Sequence, residues 1–173
     1  KYGLPAEVFS AFRHTFFEGL HAHDFVELVN NKLKLPLSLT LRQAADGGLD
    51  KWTLDNLMRG ELLAVTFASV KNHRTKHWAL CTGCEGSASG RAILPDTIHL
   101  LDPSASAPSF AYFNARLRLP TSGPGSRRTP PNLLNPSENS KRKPVHWLYE
   151  AAEWNAEEVR LLAAVRLQLK VAA

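Results

Sequence analysis

Cysteine is scarce in this chain, with two among 173 residues, at positions 81 and 84. Two thiols cannot build a disulfide framework, so a reducing, cytoplasmic setting is expected. No run approaches the ~18 apolar residues of a membrane span and the start shows no signal-peptide pattern, so no membrane span is expected. The first residue is Lys1 rather than Met, which leaves room for something removed upstream. No internal repeat is present. What the chain does have is 44% hydrophobic and 21% charged residues, with 10 Gly and 11 Pro. These fractions exclude a wholly disordered, collagen-like or coiled-coil chain. A chain of this length buries roughly 70% of its unfolded surface and needs no disulfide or metal to hold a core.

The formal charge is +5, with a pI near 9.4. Arg127, Arg128, Lys141, Arg142 and Lys143, against Glu138 alone, place +4 of it between positions 120 and 144. The same stretch holds six of the eleven prolines and reads as a basic, Pro-rich loop inserted in a single domain spanning 1–173. It lacks interleaved aromatics and no groove-reading helix accompanies it, so nucleic acid is not an expected partner.

Residues 5–20 read as a helix, with Phe9, Phe12, Phe16 and Leu20 on one stripe. A second helix is expected around 24–33, ended by Pro36, then a short strand at 37–41 and a short helix from Thr53 to before Gly60. The near-continuous apolar run 62–70 predicts a buried strand. Strands are also expected at 77–82, 97–102 and 113–119. The tail reads as a helical start turning into a final strand. The resulting fold class is α+β, with N-terminal helices packed on an antiparallel sheet.

The strands holding His77 and Asp102 carry the main chemical signal. A hairpin-like connection at 83–96 sets His77 against Asp102, Ala79 against Leu100 and Cys81 against Ile98. Directly opposed Cβ atoms lie roughly 4.5–5.5 Å apart, close enough for a carboxylate to fix an imidazole tautomer. A one-residue slip would put the two on opposite faces. The alternative is an edge-strand histidine beside an Asp-Pro turn initiator.

The segments GELLAVTFASVKNHRTKHWALCTGCEG and TIHLLDPS resemble the catalytic half of papain-fold cysteine peptidases, nearest the bacterial double-glycine leader peptidases. The resemblance covers about 60–103. It implies a papain-like topology, His77 as general base and Asp102 as its orienting partner, acting on a peptide or protein substrate with no cofactor. The family's nucleophile is a Cys at the start of the first long helix, and residues 1–43 contain none. Cys81 lies four residues along the strand from His77, ~13 Å away, and Cys84 farther. The thiol then lies upstream of Lys1, is substituted (Ala6 stands near the right helix, with Ser10 one turn on), or is lost. The expected function is accordingly a thiol hydrolase, with a catalytically inactive papain-like module that binds a peptide or protein partner as the alternative. A third reading, a small zinc-binding interaction domain, rests on His73, His77, Cys81 and Cys84, four ligand types within twelve residues. Cysteines in Cys-x-x-Cys with apolar neighbours are more often buried thiols, so no metal is expected.

Overall fold

The computed structural model describes residues 20–33, 35–72, 76–90, 92–107, 112–120 and 145–170. Helix α1 (Ala22–Glu27) runs into a π-helical turn (Leu28–Lys32), and α2 spans Leu49–Met58. The described residues also form seven strands: β1 (Leu37–Gln43), β2 (Leu62–Ser69), β3 (Lys76–Ser89), β4 (Ala92–Leu101), β5 (Ala115–Arg118), β6 (Trp147–Ala151) and β7 (Trp154–Leu169). Their order is β1-β7-β2-β3-β4-β5-β6, all antiparallel, and β6 pairs back to β7. Strands β2 to β7 therefore close a six-stranded barrel, with β1 added outside the closure on β7.

This corrects the expected papain-like α+β arrangement of N-terminal helices packed on an antiparallel sheet. The cause lies in the tail. The stretch read as beginning helical is strand throughout, and at 16 residues β7 is long enough to pair with β6 at its start and with both β2 and β1 further on. Strand β6, unread in the sequence, supplies the other side of the seam. All but the last residue of the expected helix at 5–20, and all but the first of the basic loop at 120–144, lie outside the described residues. Among those residues no helix is long and apolar enough to cross a membrane.

The barrel interior is filled by alternating side chains, among them Leu63, Val65 and Phe67 of β2, Ala79 and Cys81 of β3, Ile98 and Leu100 of β4, and Leu117 of β5. Helix α2 adds Leu49, Leu54 and Leu57 to the same core, and its Asp50 accepts a hydrogen bond from the buried Trp147 indole at 2.7 Å. A register shift between Thr66 and Phe67 leaves Leu162 of β7 unpaired with β2. That bulge reverses the faces of β7. Val159 and Leu161 point into the barrel before it and Ala164 after it, which sends Val165 outward. There Val165 joins Val29, Leu33 and Leu39 in a second, smaller core under α1. One strand thus serves two cores.

The outer edge of β1 would expose unpaired backbone groups. Asn30 of the π-helical turn occupies it. Its carboxamide accepts from the Leu39 amide and donates to the Leu39 carbonyl, both at 2.8 Å, as a neighbouring strand would.

Candidate active site at one rim of the barrel

Antiparallel order places the end of β2, the start of β3, the end of β4, the start of β5, the end of β6 and the start of β7 at one rim. His77, second residue of β3, and Asp102, directly after β4, meet there. His77 Nε2 lies 2.6 Å from Asp102 Oδ2. The register differs from the expected one: Leu80 pairs with Leu101 and Cys81 with Leu100. His77 and Asp102 are therefore diagonal rather than directly opposed. The offset is even, so both side chains keep the same face, and a diagonal pair lies within reach of long side chains.

Sequence proximity builds the Asp102 turn. The Ser104 amide donates to Asp102 Oδ1 at 2.7 Å, an aspartate turn closed on its own backbone. Asn114, just before β5, clamps the same residue: its Oδ1 accepts from the Asp102 amide at 2.7 Å and its Nδ2 donates to the Asp102 carbonyl at 2.8 Å. The Ser106 amide donates to Glu153 of the β6–β7 turn at 2.9 Å, tying this connection to the next one round the rim.

Tyr149 of β6 completes the carboxylate's shell. Its hydroxyl donates to Asp102 Oδ2 at 2.6 Å, within the interior. Asp102 has a fully buried side chain. Burial alone pushes its carboxyl up, but the hydrogen bonds from Tyr149, the Ser104 amide and His77 outweigh that and hold it below its usual range. The Tyr149 phenol is pushed up, by its own burial first and by the adjacent carboxylate second. An ionised carboxylate only accepts, so His77 carries its proton on Nε2 when neutral and keeps a lone pair on Nδ1. Nδ1 has no hydrogen-bond partner among the described residues, and the side chain is 26% exposed. The ring is held by Phe67, with centroids 5.4 Å apart. The Ser104 hydroxyl stands 3.4 Å from Nε2, on the nitrogen already committed to Asp102.

Beside the dyad, on the outer face of β2–β4, lies a groove of about 540 Å³. Leu20, Phe25, Trp78, Leu80, Leu101 and Pro103 line it, and among the described residues Asp102 is the one charged group of its lining. Trp78 is fixed by its indole N–H donating to the Leu20 carbonyl at 3.0 Å and by the edge of Phe25. The volume lies in the usual range of small-ligand pockets, ~300–1,000 Å³.

Cys81 and Cys84 are not gathered at this rim. Cys81 is fully buried in the barrel core, and burial raises its thiol far above the ordinary range; burial raises Cys84 as well. Both are free thiols. His73, Ala6 and Ser10 lie outside the described residues. Among the described residues no group of three or more His, Cys, Asp or Glu side chains is placed to hold a metal ion, and His77 Nε2 is already taken by Asp102. Tyr149 and Asn114 were not legible as site residues. Tyr149 reads in sequence as a packing aromatic between two tryptophans, and Asn114 as a polar position in a strand. No protein-family model, no curated protein and no solved structure matches this chain.

Proposed function

We propose that this chain carries the general base of a thiol-dependent, cysteine-peptidase-like hydrolase. The observation that carries the reading is the 2.6 Å contact of His77 Nε2 with a buried, ionised Asp102, which leaves Nδ1 as a lone pair at an accessible rim. In this reaction Nδ1 takes the proton of a thiol, the sulfur attacks a peptide or ester carbonyl, and an acyl-thioester forms. The imidazolium then returns its proton to the departing amine or alcohol. Cys81 is not that thiol, being sealed in the core with its proton held tightly, and Cys84 lies farther along the same strand. These are the chain's two cysteines, so the attacking thiol is not one of its own residues and the reading needs one supplied to His77 Nδ1.

The apolar groove favours a second reading, a module that holds a hydrophobic peptide at this rim without cleaving it. One experiment separates the two. The full chain is mixed with an aryl ester of an N-acylated hydrophobic amino acid and with β-mercaptoethanol, and nitrophenolate release is followed. The hydrolase reading expects thiolysis that saturates with ester and falls by ~10²-fold, the low end for a positioned general base, in His77→Ala. Equal rates in wild type, His77→Ala and buffer overturn it. Quenching of tryptophan fluorescence by a hydrophobic peptide, lost in Trp78→Phe and seen without thiolysis, then supports the binding module.

A further inference from the structure

The β3–β4 hairpin carries a second histidine–carboxylate pair, on the other face of the barrel wall. Ile98 and Leu100 point into the core, so His99 points outward, yet it is only 4% exposed. Phe113 lies flat on its ring, with centroids 4.2 Å apart and planes within 10°. His99 Nδ1 is 3.0 Å from the Tyr112 hydroxyl, and Nε2 is 3.3 Å from Glu85 Oε2. Nε2 is sealed from solvent and lacks an aligned hydrogen bond, which leaves the Glu85 carboxylate as the charge it faces. Room for the arrangement comes from Gly83, which pairs with His99. A Cβ there would stand 3.8 Å from the Tyr112 ring and 4.0 Å from His99 Nδ1, so a larger side chain would fill the space where the two meet.

The order is carboxylate, imidazole, hydroxyl. A carboxylate 3.3 Å from Nε2 favours, by Coulomb attraction rather than an aligned hydrogen bond, the tautomer with its proton on that nitrogen and its Nδ1 lone pair toward the Tyr112 O–H. The base is closed in, whereas Tyr112 is 60% exposed. We propose that Tyr112 is an activated phenol, a modification site for acyl-class electrophiles, with His99 as its base and Glu85 as a positioning residue. In the step, Tyr112 Oη attacks the acyl carbon and forms an ester C–O bond, and the bond to the leaving group breaks. The phenolic proton passes to His99 Nδ1 and from there to the leaving group, so no oxidant or further reactant is needed. The site is independent of His77, which faces the barrel interior.

The test acetylates the full chain with N-acetylimidazole near neutral pH, and mass spectrometry follows O-acetyl-Tyr112 against free N-acetyltyrosinamide in the same tube. Tyr112 is expected to react at least ~10-fold faster than the free phenol, below the ~10²–10⁴ of a finished general-base site. His99→Gln is expected to lower it to the reference rate, and Glu85→Gln to an intermediate one. A wild-type rate equal to the reference overturns the proposal, as does a folded His99→Gln that reacts like wild type. If His99→Gln does not fold, Glu85→Gln, a change at a half-exposed carboxylate, decides: a reduced rate supports the relay and an unchanged rate overturns it.

Discussion

Replacing Tyr149 with Phe removes one oxygen from the most tightly bonded part of the rim. The ring packing against Phe67 and Trp154, with centroids 5.3 and 6.1 Å away, is kept. What is lost is a 2.6 Å hydrogen bond to a buried carboxylate. Hydrogen bonds to charged groups contribute ~1.5–3 kcal/mol, and both groups here are buried, so a destabilisation of about 2 kcal/mol is expected at neutral pH. The effect should depend on pH. Asp102 has a folded-state pKa held below its unfolded value, so its contribution to stability is fully present above about pH 4 and is lost as pH falls through the folded-state value. Tyr149 is one cause of that depression. Once Asp102 is protonated, the phenol bonds only a neutral acid, a contact contributing ~0.5–1.5 kcal/mol. Urea unfolding of wild type and Tyr149→Phe, at about pH 7 and again through the acid range, measures both numbers. A difference under ~0.5 kcal/mol at neutral pH, or one that does not shrink on acidification, refutes the reasoning.

Two further substitutions probe the frame. Asn30→Ala removes both 2.8 Å bonds to the Leu39 backbone; a loss of ~1–3 kcal/mol and concentration-dependent self-association through the opened β1 edge are expected in sedimentation velocity, and a monomer at every concentration refutes the edge argument. Gly86→Ala places a Cβ 2.1 Å from the Leu94 carbonyl oxygen and 2.6 Å from the Pro95 Cα, both on backbone, at a bulge in the hairpin; a cost of about 2 kcal/mol or more, read as a fall of ~4–8 °C in Tm, is expected, and an unchanged Tm refutes it.

The apolar runs told where most strands lie. The reading of 62–70 matches β2 closely, and 37–41, 97–102 and 113–119 each overlap a strand. Closure of the barrel was not legible, because it depends on pairing at a distance. Val165, Leu167 and Leu169 alternate as a strand should, but their alternation belongs to the outer layer, and the Leu162 bulge that flips the faces has no local signature. Short-range signals were also misplaced by a turn: Thr53 looks like an N-cap, yet its hydroxyl bonds back to the Leu49 carbonyl inside α2, and Gly48 caps the helix. At the rim, the proximity of His77 and Asp102 could be read because it needs only parity. The bulge between Cys81 and Gly83 and the Tyr149 contact could not, since each requires knowing which strands are neighbours.

The direction of β5 has a consequence for the basic segment. Starting beside Asn114 at the dyad rim, Ala115–Arg118 carries the chain ~10 Å down the wall to Leu119 and Pro120, and β6 brings it back from Val145. Both anchor points of the charged segment therefore sit at the opposite mouth from His77. The dyad and the points where residues 121–144 join the wall are thus separated by the length of the hydrogen-bonded β5–β6 pair. A change made at Pro120 or Val145 therefore acts at the mouth away from His77 and Asp102.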